Sequence, residues 1–232
     1  MSLHTVTVPA LEAIPGLVHG FERRPRARGA ETREGTRQRV REALEPFGRL
    51  HLLQQVHGTK VASAPFEGRP EGDAATAAVS GVLLGIETAD CLPVLLVDPD
   101  RRVVAAVHAG WRGTALGVAS AAALALRAMG SRPERVLAAL GPGIGPCCYE
   151  VGDELREAFG PLAEAAFRPG PRGRPHLDVR AANVRQLLDA GLRAERLHHV
   201  RDCTSCAPEL YHSHRRDGPG AGRMISFVGF AR

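Results

Sequence analysis

Pro93-Val94-Leu95-Leu96-Val97-Asp98, the turn Pro99-Asp100-Arg101-Arg102, and Val103-Val104-Ala105-Ala106-Val107-His108 decide the fold. Two continuous apolar runs of strand length flank a Pro-Asp turn, the pattern of a buried β-hairpin. Closing the turn on Asp98 and Val103 places Pro93 opposite His108. Cys91 precedes Pro93 by two residues and shares its face, because side chains alternate with a period of two. Its thiol then lies one diagonal step from the His108 imidazole, at the open end of the hairpin. A slip of one residue would send the two groups to opposite faces, so the pairing depends on this register.

Outward from the hairpin, Val82 to Ile86 and Val136 to Leu140 are further buried strands. Leu50 to Val56 is a strand ending at His57-Gly58. Residues 3 to 8 and 17 to 21 start the chain as short strands, and Met224 to Phe230 closes it. Helices are expected at Thr32 to Leu44, with Val40 and Leu44 on one face, at Glu150 to Phe159 and at Ala181 to Ala190. Another is expected from Thr114, as N-cap, to Met129, with Gly130 ending it. Pro169 to Pro175 reads as a long loop. Hairpins mixed with helices imply an α/β layered sandwich with two mixed β-sheets flanked by helices, not a doubly wound parallel sheet. There is no repeat and no clear linker, so residues 1–232 read as one domain.

Hydrophobic content of 44% with 24% charge places the chain among ordinary globular proteins and against disorder. The longest apolar run, Thr114 to Met129, carries Arg127 and is too short for a membrane span. Met1 to Pro9 lacks the charged start and apolar stretch of a signal peptide, so a cytoplasmic location and no membrane partner are expected. The net charge of +5 is almost all arginine; Lys60 is the only lysine. Arg23 to Arg41 is basic but holds no aromatic side chain on which a base would stack, which argues against nucleic acid as a partner. Five cysteines in a reducing compartment read as metal ligands, reactive thiols or core residues before disulfides.

Cys91 and His108 each stand where a buried strand runs into a loop. Ala109-Gly110-Trp111-Arg112-Gly113 follows His108 with glycines that let backbone approach a ligand. A helix start there and the fork of Arg112 favour an anion. His57 ends its strand in the same manner. One thiolate and two imidazoles suit Zn²⁺, with a fourth position left open; copper is the second candidate. Gly141-x-Gly143-x-Gly145 is no dinucleotide fingerprint, because prolines interrupt it and the third glycine comes a residue early. Cys147-Cys148 together with Cys203-x-x-Cys206 offer a possible structural metal site. His212-x-His214 is a single pair, whereas multicopper oxidases need several.

Gln54-Gln55-Val56-His57-Gly58-Thr59, Glu87-Thr88-Ala89-Asp90-Cys91-Leu92-Pro93-Val94, His108-Ala109-Gly110-Trp111-Arg112-Gly113 and the run Leu140 to Gly152 resemble the laccase-domain, or multicopper polyphenol oxidase-like, family. Cys203-Thr204-Ser205-Cys206, Ser213 to Gly218 and Gly222-Arg223-Met224 resemble its C-terminal signature. The match runs from about residue 50 to the end in consistent order. The resemblance implies purine nucleoside phosphorylase activity with adenosine deaminase activity, and a fold akin to cysteine-hydrolase toxins. It also implies that His57, Cys91 and His108 are both zinc ligands and catalytic triad. Phe21-Glu22-Arg23-Arg24 is kept, but Pro25 to Gly29 replaces the family's glycine-rich stretch.

The resemblance thus implies a zinc-dependent enzyme acting on adenosine, inosine and methylthioadenosine, with purine nucleosides and phosphate as its small-molecule partners. Phosphorolysis needs an anion site, for which Arg112 is the candidate. Deamination needs a zinc-activated water and a carboxylate that moves protons, for which Asp90 is the candidate. The alternative is a Cys–His hydrolase, or a cell-wall precursor editing enzyme, with Cys91 as nucleophile and His108 as its base.

Overall fold

The computed structural model describes residues 3–25 and 32–232. The basic loop read over Arg23 to Gly29 therefore lies mostly outside the described residues. Thirteen strands are found among those described: β1 (Thr5–Val6), β2 (Leu17–Glu22), β3 (Arg49–Leu52), β4 (Val61–Ser63), β5 (Ala74–Ala77), β6 (Val82–Thr88), β7 (Leu92–Asp98), β8 (Val103–Ala109), β9 (Leu137–Leu140), β10 (Phe167–Pro169), β11 (Pro175–Leu177), β12 (Leu197–His199) and β13 (Met224–Phe230).

One sheet has the order β1-β2-β13-β6-β3 and the other β12-β9-β7-β8-β5-β4. Each is mixed: β3–β6, β4–β5 and β9–β12 are parallel and the remaining pairs antiparallel. The expected two-sheet α/β architecture is therefore present. The hairpin register also stands as read: Asp98 pairs with Val103 and Pro93 with His108.

Side-chain alternation explains why β7 is apolar throughout. Leu95 and Val97 face β6 and β13 across the inter-sheet core, with Phe21, Leu84, Ile86 and Val228. Val94 and Leu96 point the other way, against Val118, Ala122 and Leu126 of one helix and Ala182 and Leu187 of another. On the outer side of the other sheet, Val40 and Leu44 of helix Arg33–Leu44 cover Leu50, Leu52, Leu83 and Phe227. The layers are helix, sheet, sheet, helix, and a strand buried on both faces has no polar face to show.

Several elements differ from expectation. The helix read from Thr114 begins at Trp111, ends at Ala115, and resumes as Val118–Ala128. Gly117 at φ +92° makes the break, a conformation open to glycine. Thr114 does not cap; it is buried and accepts a hydrogen bond from Asn183 Nδ2. The strand read to Val56 stops at Leu52. Beyond it the Gln55 side chain takes the place of a strand, donating to the Glu87 carbonyl and accepting from the Glu87 N–H, both at 2.8 Å. The helix at Glu150 starts only at Leu155, because Glu150 bridges to His176. The helix read as Ala181 to Ala190 spans Val179–Asp189, with Asp178 capping it at Ala181 N. Pro169 to Pro175 is the tip of the β10–β11 hairpin. Among the described residues no helix is long and apolar enough to cross a membrane.

Candidate metal centre

His57, Cys91 and His108 converge. Their ligand atoms, one from each residue, all lie within 4.8 Å of one another. Cys91 Sγ is 4.0 Å from His57 Nε2, and the two imidazoles meet edge to face with centroids 4.8 Å apart. His57 comes from the loop after β3 of one sheet. Cys91 and His108 come from the open end of the β7–β8 hairpin of the other. They line a cleft of about 540 Å³.

Asp73, immediately before β5, organises the site and was not singled out from the sequence. It is wholly buried. Its Oδ1 accepts from His57 N at 2.9 Å and His108 Nδ1 at 2.7 Å; its Oδ2 accepts from Gly58 N at 2.7 Å and Val56 N at 3.2 Å. Three successive backbone N–H groups thus surround one carboxylate, an anion nest, which holds His57 at φ +61°. The His108 bond fixes the tautomer: Nδ1 carries the proton toward Asp73 and Nε2 is free to face the cleft, the arrangement usual for a metal-bound histidine. Burial pushes the Asp73 carboxyl up, but the bonds from His108 and from the backbone of Gly58 and His57 bring it below its ordinary value. The sequence signal was only an acidic residue between Gly72 and the small-residue run Ala74–Ala77.

Burial raises the Cys91 thiol, but the charge and hydrogen bonds of His108 and His57 overcome this and bring it down to about 6. Burial likewise lowers His108, while Cys91 and Asp73 raise it to about 9. A thiolate beside imidazoles is the donor set for Zn²⁺, and for Cu²⁺. The three residues therefore fit a metal in chemistry and in mutual distance. Gly110 closes the cradle: a Cβ there would stand 2.8 Å from His57 Cδ2 and 3.1 Å from Cys91 Sγ. Gly110→Ala is expected to lower metal content by displacing one ligand, and with it to lose the metal-dependent part of the melting temperature. Full metal occupancy in that variant would show that the ligands have room to spare.

Asp90 and Arg112 line the same cleft. Asp90 sits at φ +88°, and both its carboxylate oxygens accept bonds at 2.6 Å, from Thr204 Oγ1 and Arg215 N. Each oxygen keeps a second lone pair for a substrate proton. Arg112 is exposed, its guanidinium over the Trp111 ring at 4.8 Å. The helix whose start faces the site is the single turn Trp111–Ala115, shorter than read. Arg33, Arg215 and Arg223 also line the cleft, whereas Arg37 and Arg69 are paired with Glu87.

Fold and site together define a layered α/β protein with a His–Cys–His centre between its two sheets. The chain belongs to the family described as multi-copper polyphenol oxidoreductase laccase, which matches residues 30–231. A purine nucleoside phosphorylase of Deinococcus radiodurans is 39% identical over 191 residues, 82% of this chain and 72% of that protein. Adenosine deaminase RL5, of an unknown prokaryotic organism, is 38% identical over 160 residues, 67% of this chain and 61% of that protein. The crystal structure of YlmD from Geobacillus stearothermophilus superposes with a TM-score of 0.86 at 30% identity, covering 94% of this chain and 93% of that one.

Proposed function

We propose that this chain is a zinc-dependent purine nucleoside enzyme that carries out phosphorolysis of adenosine, inosine and methylthioadenosine and also deaminates adenosine. The observation that carries this reading is the convergence of His57, Cys91 and His108 in a cleft bordered by arginines, in a chain whose relatives are named for those two activities. When bound, zinc supplies Lewis acidity and eases deprotonation of a water. His57, Cys91 and His108 would hold it, and Asp73 keeps the His108 Nε2 turned toward the cleft.

In phosphorolysis a phosphate oxygen bonds to ribose C1′, the C1′–N bond breaks, and the purine leaves with the electron pair and gains a proton. Arg112 is the proposed phosphate grip, since its charge faces the cleft without a carboxylate partner in reach among the described ion pairs. In deamination water adds at C6 and ammonia leaves; Asp90, beside Cys91, is the proposed proton carrier. Arg112→Ala should raise KM for phosphate about 10-fold or more, the cost of a lost charged hydrogen bond, and change KM for nucleoside little. Equal effects on both would make Arg112 structural.

The deciding experiment is chromatography of products after incubation with adenosine, with and without phosphate and with a chelator. Adenine with ribose 1-phosphate should form only with phosphate, inosine should form without it, and the chelator should stop both. A second reading rests on the Cys91 thiol at about 6 beside His108 at about 9. A thiolate–imidazolium pair of this kind serves a Cys–His hydrolase, including one that edits cell-wall precursors.

A further inference from the structure

β9 and β12 run parallel, with Leu140 beside His199, so both strands deliver their following loops to the same edge of the sheet. The loops stay together: Gly143 bridges Cys203, and Thr204 N donates to the Gly143 carbonyl at 3.2 Å. Four cysteines meet there. Cys206 Sγ is 3.3 Å from Cys148 Sγ and 3.6 Å from Cys147 Sγ, and the four sulfurs of Cys147, Cys148, Cys203 and Cys206 all lie within 4.8 Å of one another. All four are free thiols.

Four Zn–S bonds of about 2.3 Å in a tetrahedron set sulfur–sulfur edges of about 3.8 Å, and this cluster matches that size. A disulfide would bring two sulfurs to about 2.05 Å and leave the other two without a role. The surrounding backbone suits thiolates. Gly145 N donates to Cys203 Sγ at 3.2 Å, and the Cys206 and Ala207 N–H groups turn back on the Cys203 carbonyl at 3.2 Å, a tight Cys-x-x-Cys turn of the sort that presents two ligands to one ion.

We propose that Cys147, Cys148, Cys203 and Cys206 form a second, structural zinc site, separate from the His57–Cys91–His108 centre. Its work is to fasten the two loops to each other behind the active-site strand end. Thr204 Oγ1 bonds the Asp90 carboxylate, and Ile144 N donates to the Asp90 carbonyl at 2.8 Å. Asp90 therefore hangs from both loops that the ion would join, and Cys91 is the next residue.

Metal analysis of protein purified under reducing conditions tests this. The wild type should hold about two zinc ions per chain, and both His57→Ala/His108→Ala and Cys147→Ser/Cys206→Ser should hold about one. Co²⁺ replacement in His57→Ala/His108→Ala, where the four cysteines are intact, is the second measurement and does not depend on the folding of the cysteine variant. Its spectrum should show tetrahedral visible bands and thiolate-to-cobalt charge transfer with the intensity of four sulfur ligands. A wild type with one zinc that Cys147→Ser/Cys206→Ser retains in full would overturn the proposal. So would five freely titrating thiols, Cys91 and all four of these, or disulfides among the four, in the native His57→Ala/His108→Ala protein.

Discussion

Replacing Cys91 by serine is expected to strip the metal from the His–Cys–His centre and to lower activity by more than about 100-fold. Loss of an outer partner of a ligand alone costs about 10–100-fold, and here a ligand itself is removed. A hydroxyl stays protonated at neutral pH and is a poor zinc ligand. The native thiol gives the complementary measurement. In the metal-loaded protein Cys91 should resist iodoacetamide, and a chelator should unmask it. In chelated protein His108 and His57 hold the thiol down to about 6, so alkylation should reach its plateau near neutral pH, well below the value of about 8.5 for a free cysteine. Activity should vanish with the chelator and return with Zn²⁺. Fast alkylation of the metal-loaded protein, with full activity in chelator, would overturn the zinc mechanism and favour the Cys–His hydrolase.

Asp73→Asn is the second large change. The carboxylate offers two oxygens to four donors, two to each. An amide has one oxygen, so in either orientation its NH₂ group faces two N–H donors. Breaking a buried charged partner in this way costs about 3–5 kcal/mol, and metal affinity should fall by about 10–100-fold as His108 loses its orientation. Urea unfolding and metal titration check both. The sign of the pH dependence follows from the Asp73 carboxyl, which lies below its ordinary value in the folded protein. Its stabilisation is complete above the unfolded value of about 4 and is lost as pH falls through the lower folded value. The wild type should therefore lose its advantage over Asp73→Asn in strong acid. Equal stability and metal affinity at neutral pH would remove Asp73 from the site.

The hairpin was legible because alternation and turn chemistry act locally. Pro93 opposite His108 follows from the Asp98–Val103 closure alone, and Cys91 follows from Pro93. His57 was legible as a residue type at a strand end, though its reach to Cys91 depends on the packing of two sheets. Asp73 was not legible, since its contact with His108 arises from the pairing of β5 with β8, Ala74 against Val107, between segments with no local signal for each other. The break at Gly117 escaped because the alanine-rich run Val118–Ala128 that follows it has strong helix propensity, and one glycine costs only about 1 kcal/mol there. The four-cysteine cluster could be named as a set, but only the parallel β9–β12 pairing brings its two halves together.

The divided origin of the three ligands has a consequence for cohesion. His57 follows a strand of one sheet, while Cys91 and His108 belong to the other. An ion held by all three is a rivet through the sandwich, available only once the two sheets have docked. Its binding free energy is then added to that of sheet docking by mass action, about 2.7 kcal/mol at a free ion concentration 100 times the Kd. The melting temperature becomes a function of free metal, and amide exchange along β7 and β8 should slow in step with occupancy.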